Sequence, residues 1–182
     1  ASGGGDIGAS LLEHKDVDKI MFTGSVSTAR KIIESSKDNM ARLTLECGGN
    51  DAAIVLPGTD IKSKAEDLFW GAFINMGQTC ACAKRLYVHE NDYDAVVDVL
   101  SELASQMPMG NGMEDGIVLG PIQNKMQFDK INDLVEDAKS KGDEVCCGGS
   151  PLGGSGYFYP ITLLGSVDNG HRIVDEEQFG PV

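Results

Sequence analysis

The sequence predicts an α/β fold with a largely parallel twisted sheet flanked by helices, and three observations carry that prediction. Short apolar runs with strand character alternate with stretches whose apolar residues recur at helical spacing. Turn-forming groups, among them Gly48-Gly49-Asn50 and Gly142, punctuate the alternation. The 182 residues are 41% hydrophobic and 24% charged, enough to bury a core under a wetted surface.

Taken in order, a glycine-rich opening leads into a short helix at about Ile7 to Glu13. Lys19 to Thr23 predicts a strand, and Ser27 to Ser36 a helix with Ala29, Ile32, Ile33 and Ser36 at helical spacing. Leu43 to Glu46 and Ala52 to Leu56 predict strands on either side of the Gly48-Gly49-Asn50 turn. Ile61 to Asn75 predicts a helix whose one face carries Ala65, Leu68, Phe69, Ala72 and Phe73. Arg85 to His89 predicts a strand; Tyr93, Val96, Val97, Leu100 and Leu103 then mark an amphipathic helix. A loop runs from about Pro108 to Pro121. Phe128, Ile131, Leu134, Val135 and Ala138 mark a further helix that Gly142 stops. Strands are expected near Glu144 and from Tyr157 to Leu163. The apolar stripes and their methionines read as core packing.

Fifteen basic against twenty-eight acidic residues give a formal net charge of −13, a field that repels nucleic-acid backbones and anionic membrane surfaces. No apolar run reaches the roughly 18 residues that span a bilayer, and ASGGGDIGAS lacks the regions of a signal peptide, so a cytoplasmic location is expected. Five cysteines, two of them the tandem Cys146-Cys147, make poor material for a disulfide framework, and reduced thiols are expected. Cys80 and Cys82 form C-x-C, and His14, His89 and His171 are scattered, so no metal is expected. The glycine-rich start with no strand ahead of it, and the close on Phe179-Gly180-Pro181-Val182, read as the ends of a piece.

Candidate chemistry rests on few residues, each with a plainer reading beside it. Gly3, Gly5 and Gly8 satisfy G-x-G-x-x-G, but no strand precedes them, so a flexible loop is the favoured reading. Phe22-Thr23-Gly24-Ser25 runs a strand into a helix start, where free N–H groups and the helix dipole suit a phosphate; alone, Ser25 reads as an ordinary N-cap. Cys80, in the polar turn Gly77-Gln78-Thr79-Cys80, sits where a thiol can meet a substrate, whereas Cys82, Cys146 and Cys147 read as small buried hydrophobes. A thiolate forms a thiohemiacetal with an aldehyde; oxidation leaves a thioester, whose hydrolysis needs a base. Glu46, at a strand end beside two glycines, could serve, with a raised pKa if desolvated; alone, it reads as a solvated glutamate. Asp175-Glu176-Glu177 reads either as a solvated charge run or as a source of one carboxylate for ribose hydroxyls.

Four ordered segments, FTGS at Phe22 to Ser25, LECGG at Leu45 to Gly49, GQTC at Gly77 to Cys80 and EEQFGPV at Glu176 to Val182, resemble the aldehyde dehydrogenase superfamily. The resemblance extends from the HKDVDK run at His14 to Lys19 through Val182 and is highly specific as an ordered set. It implies an NAD(P)-dependent enzyme of the EC 1.2.1 type that oxidises an aldehyde to a carboxylic acid, with NAD or NADP as cofactor and a homo-oligomeric parent. By that resemblance Cys80 is the nucleophile and a contributor of an oxyanion N–H, and Glu46 is the general base. Gly24 and Ser25 lie against the cofactor pyrophosphate, Glu177 holds the nicotinamide ribose, and Phe179 packs near the nicotinamide. Residues 1–47 are then a remnant of the cofactor-binding domain and residues 48–182 a truncated catalytic domain.

Three positions depart from the family pattern. Cys47 replaces the Leu usual after the base, Asn50 the common Lys, and Ala29 a frequent Gly, the last crowding the approach of helix and cofactor. The family's upstream oxyanion Asn and adenosine-ribose Lys have no counterpart in this chain, so the isolated chain is expected to be inactive, since one oxyanion donor is worth about 10²- to 10³-fold. Competing readings are a non-catalytic structural module, a coenzyme A-acylating dehydrogenase, for which Glu46 has less use, and a thiol hydrolase using Cys80 without nicotinamide.

Overall fold

A parallel strand pair needs a crossover, and among the described residues both parallel strand pairs have a helix in that crossover. The structure, a computed structural model, describes residues 5–182 and divides into two compact units, Ala1–Gly48 and Gly49–Val182.

In the first unit, α1 (Gly5–Leu12) precedes β1 (Lys19–Gly24), α2 (Val26–Ser35) and β2 (Arg42–Cys47). Gly5 and Gly8 both lie within α1, which buries none of its residues, while Gly3 of the three-glycine pattern falls outside the described residues. β1 and β2 pair in parallel, with Ile20 opposite Leu43, Thr23 opposite Glu46 and Gly24 opposite Cys47. α2 buries Ala29 and Ile32, one turn apart on one face, and ends where the buried Ser36 hydroxyl donates to the Ile32 carbonyl at 2.9 Å. Ala29 therefore belongs to the packed face of α2 and not to its open N-terminal turn.

In the second unit, β3 (Asp51–Val55) pairs in parallel with β4 (Ala83–Val88) through α3 (Ile61–Phe73) and a following 3-10 turn, Ile74–Gly77. Asp60 caps α3 by accepting the Ser63 N–H. α4 (Tyr93–Gln106) packs on α3, and Phe69, Phe73, Met76, Val96 and Leu100 form the main core. A loop closed by a bridge between Met109 and Leu119 leads to α5 (Lys125–Lys141), capped by Asn124 at its start and ended by Gly142 in the left-handed region at φ 89°. Ile131, Leu134, Val135 and Ala138 on α5 are all fully buried. β5 (Glu144–Cys147), β6 (Leu163–Gly165) and the short α6 (Arg172–Asp175) complete the unit.

The largely parallel character expected of the strands is found: of the three two-stranded pairs among the described residues, β1–β2 and β3–β4 are parallel, and β5–β6, joined by an irregular loop, is antiparallel. One expectation needs correction. The strand expected from Tyr157 to Leu163 is confined to Leu163–Gly165. Pro160 offers no N–H to a ladder, and the neighbouring backbone bonds elsewhere: Ile122 donates to the Tyr157 carbonyl at 2.9 Å and Thr162 donates to the Pro181 carbonyl at 2.8 Å. The α/β class stands.

Candidate active site

The helix that leads to Cys80 stops short of its apolar pattern. α3 ends at Phe73, and Asn75 (φ 51°, ψ 39°), Met76 (φ 60°, ψ 30°) and Gly77 (φ 66°) follow one another in the left-handed region. For a non-glycine residue that conformation costs about 1–3 kcal/mol, so something must hold it. Met76 is 2% exposed and anchors the turn in the core. Asn75 and Gln78 brace it reciprocally, each side-chain amide donating to the other's carbonyl at 3.2 Å, and the Gln78 carboxamide oxygen accepts the Gln123 N–H at 2.9 Å. The turn lifts Cys80 into solvent while Cys82, two residues on, is buried.

Gly77 has no room for a side chain. A Cβ there would collide with the Lys84 Nζ and the Gly180 carbonyl, in addition to the strain of its positive φ. Gly77→Ala is expected to cost at least about 2–4 kcal/mol, read as a drop in Tm, because a backbone carbonyl cannot move aside cheaply.

Gly49 joins the Cys80 turn to the C-terminal acidic segment. Its N–H donates to Glu177 Oε1 at 3.2 Å, and a Cβ on it would lie 2.7 Å from the Cys80 carbonyl oxygen. The Asp175-Glu176-Glu177 run is thereby resolved into three roles. Asp175 accepts the Gly170 N–H, Glu176 pairs with Arg172 at 2.7 Å, and Glu177 turns to Gly49. Glu176 and Asp133 together hold the Arg172 guanidinium charged, raising its pKa above the ordinary value. Among the described residues, the second carboxylate oxygen of Glu177 accepts no hydrogen bond, so acceptor capacity remains for a diol.

Four successive carbonyls after that point are gripped by side chains that sequence reasoning missed. Lys130 donates to the Glu177 carbonyl at 2.5 Å, Gln127 to those of Gln178 and Phe179 at 2.6 and 3.2 Å, and Lys84 to that of Gly180 at 2.5 Å. The grip fixes Phe179 in the left-handed region at φ 48°. A signal existed in the sequence: Gln127 and Lys130 are polar residues adjoining the apolar face of α5, and Gln127 is 9% exposed. Asn50 completes the frame; its side-chain amide donates to the Val174 carbonyl at 2.5 Å and its backbone carbonyl accepts from Arg85 Nε at 2.7 Å, while its Oδ1 is buried with no partner among the described residues.

The remaining candidates stand on the first unit. Glu46 is the penultimate residue of β2 and its side chain is exposed. Gly24 ends β1, where a Cβ would come within 2.5 Å of the Phe22 ring, and Ser25 caps α2 by accepting the Thr28 N–H at 3.2 Å. Residues 23–28 are all exposed and the first turn of α2 holds no acidic side chain, an arrangement that suits an approaching phosphate. An apolar cleft of 310 Å³ in the second unit, between β4, α4 and β6, includes Lys84 and Gln178 in its wall but not Cys80, and is not a candidate for the chemistry.

The sequence model of the aldehyde dehydrogenase family matches residues 1–182. A probable aldehyde dehydrogenase of a Pseudomonas species is 42% identical over 181 residues, covering 100% of this chain and 37% of that protein. Among solved structures, an aldehyde dehydrogenase from Bacillus cereus in its NAD+ complex is 36% identical with a TM-score of 0.93, over 96% of this chain and 36% of that one. An aldehyde dehydrogenase C mutant from Pseudomonas syringae, complexed with NAD+ and octanal, is 29% identical with a TM-score of 0.95, over 100% of this chain and 38% of that one. The chain thus spans a little over a third of the length of the relatives it matches.

Proposed function

This chain belongs to the aldehyde dehydrogenase family, and from that premise we propose that the whole protein oxidises an aldehyde to a carboxylic acid with NAD(P)+ through a thioester on Cys80. The observation that carries the reading is the junction at Gly49, whose backbone touches both the Cys80 turn and the Glu177 carboxylate. A nucleophile and a diol-binding carboxylate share one rigid point, as a reaction between a substrate and a bound dinucleotide requires.

Cys80, exposed on a braced turn, attacks the aldehyde carbon as thiolate and forms a thiohemiacetal. In this reading its own backbone N–H donates to the developing oxyanion. The C–H bond of this adduct breaks with loss of a hydride to give the thioester, and bound NAD(P)+ would supply the hydride acceptor. Glu46 takes a proton from the water that cleaves the thioester, and the carboxylate product leaves with Cys80 restored. Gly24 and Ser25 would present the open start of α2 to the pyrophosphate, Glu177 would accept hydrogen bonds from the nicotinamide ribose through its unbonded carboxylate oxygen, and Phe179 would pack near the nicotinamide. The NAD+ in the Bacillus cereus and Pseudomonas syringae structures supports the cofactor class.

Glu177→Gln in the whole protein tests the cofactor half of this reading. Loss of a charge-assisted acceptor for a ribose hydroxyl, worth about 1.5–3 kcal/mol, is expected to raise the KM for NAD(P)+ by about ten- to a hundredfold. Unchanged cofactor KM and kcat would remove Glu177 from the site.

A further inference from the structure

Among the described residues, Lys84 is the one charged side chain that reaches both backbone segments on which the Cys80 turn rests. Its Nζ donates to the Ala72 carbonyl at 2.9 Å, in the last turn of α3, and to the Gly180 carbonyl at 2.5 Å. It stands 5.2 Å from the centre of the Phe73 ring and fills the space that a Cβ on Gly77 would need. One ammonium group therefore connects the end of α3, the three left-handed residues before Cys80, and the segment that carries Glu177 and Phe179. We propose that Lys84 is a positioning residue that clamps the nucleophile turn through its ammonium group and thereby sets the placement of Cys80.

The chemistry of the surroundings explains why a cation is used. The carbonyls of Ala72 and Gly180 converge on a point that an apolar side chain would leave unsatisfied, and charge-assisted bonds to them are roughly twice as strong as neutral ones. The Phe73 ring presents a third, weaker attraction for a cation. Burial works against the charge and pulls the Lys84 pKa down to about 8, with Cys82, just ahead of β4, opposing that fall. From α3 the ammonium meets only a carbonyl and a ring, and from the C-terminal segment only a carbonyl, so Cys82 is the titratable group that bears on it. No step of the aldehyde chemistry proposed above employs Lys84.

This inference rests on Cys80 being the nucleophile, and its test reads the turn directly. In the whole protein, Cys80 and Cys47 are alkylated with iodoacetamide at pH 7 and resolved by mass, Cys47 on the other unit serving as internal reference. Lys84→Met is expected to change the Cys80-to-Cys47 ratio and lower kcat by about tenfold, a fraction of the roughly 10²-fold that a 1 Å misplacement can cost, with the aldehyde KM within about twofold. Lys84→Arg, which keeps a cation, is expected to recover the ratio to within about threefold. A Met variant whose ratio stays within about twofold of wild type, or an Arg variant as impaired as the Met variant, overturns the clamp. Should the Met variant fail to fold, wild-type hydrogen exchange decides: corrected for intrinsic rate, protection of residues 74–81 is expected to fall by about threefold or more from pH 7 to pH 9 as the ammonium discharges, and constant protection overturns the proposal. A wrong nucleophile assignment shows separately, as dehydrogenase activity that survives Cys80→Ala.

Discussion

Cys80→Ala in the whole protein is expected to lower kcat/KM for aldehyde oxidation by more than about 10⁴-fold, on the scale seen when a covalent nucleophile is removed, with Tm shifted by no more than about 2 °C. The second half of that expectation comes from the structure. Cys80 is exposed, its turn is held by Met76, Asn75 and Gln78, and its thiol fills no core space, so truncation leaves no cavity. Its neighbour makes the contrast: Cys82→Ala removes a side chain that is 2% exposed, a change of packing and not of chemistry. Rates are measured with saturating NAD(P)+ and aldehyde, and single-turnover mixing checks for any residual acylation. Retained dehydrogenase turnover in Cys80→Ala would end the thioester reading while leaving the family assignment intact.

Local physics made most of the elements legible and non-local physics hid the rest. α5 was readable because its determinants are close in sequence: Asn124 caps, apolar residues recur every three to four positions, and Gly142 stops the helix in the left-handed conformation. β1, α2 and β2 were readable for the same reason. The end of α3 was not. Its apolar pattern continues through Ile74, but Ile74 is 54% exposed, and the chain turns left-handed because Met76 packs inward and Lys84, twelve residues beyond Ala72, donates to the Ala72 carbonyl. The strand expected from Tyr157 failed likewise, since its backbone partners lie in the segments around Ile122, Leu152 and Pro181. At the site, the residue types of Cys80 and Glu46 announced chemistry, and the resemblance gave them roles. The side chains that grip residues 177–180 carried no such announcement, because a lysine or glutamine bonded to a distant main-chain carbonyl resembles any surface residue until the fold brings the two together.

Glu46→Gln should separate the two halves of the reaction. The amide preserves the size of this exposed side chain on β2 but cannot act as the base, so acylation of Cys80 should proceed while hydrolysis of the thioester stalls. Steady-state kcat is expected to fall by about 10²- to 10⁴-fold, the usual worth of a positioned general base. The first turnover should survive as a burst of reduced cofactor close to one equivalent per site, followed by the slow phase, because the enzyme accumulates as acyl-Cys80. Mass spectrometry of the quenched protein should find the acyl group on the peptide that contains Cys80. Loss of the burst in the same proportion as kcat would move Glu46 to the acylation step, where it would deprotonate the thiol. An unchanged kcat would return it to the role of a solvated glutamate at a strand end. Added coenzyme A distinguishes the remaining alternative: turnover that depends on it in the wild type, and is indifferent to Glu46→Gln, would mean that the thioester is transferred to a second thiol and water is never activated.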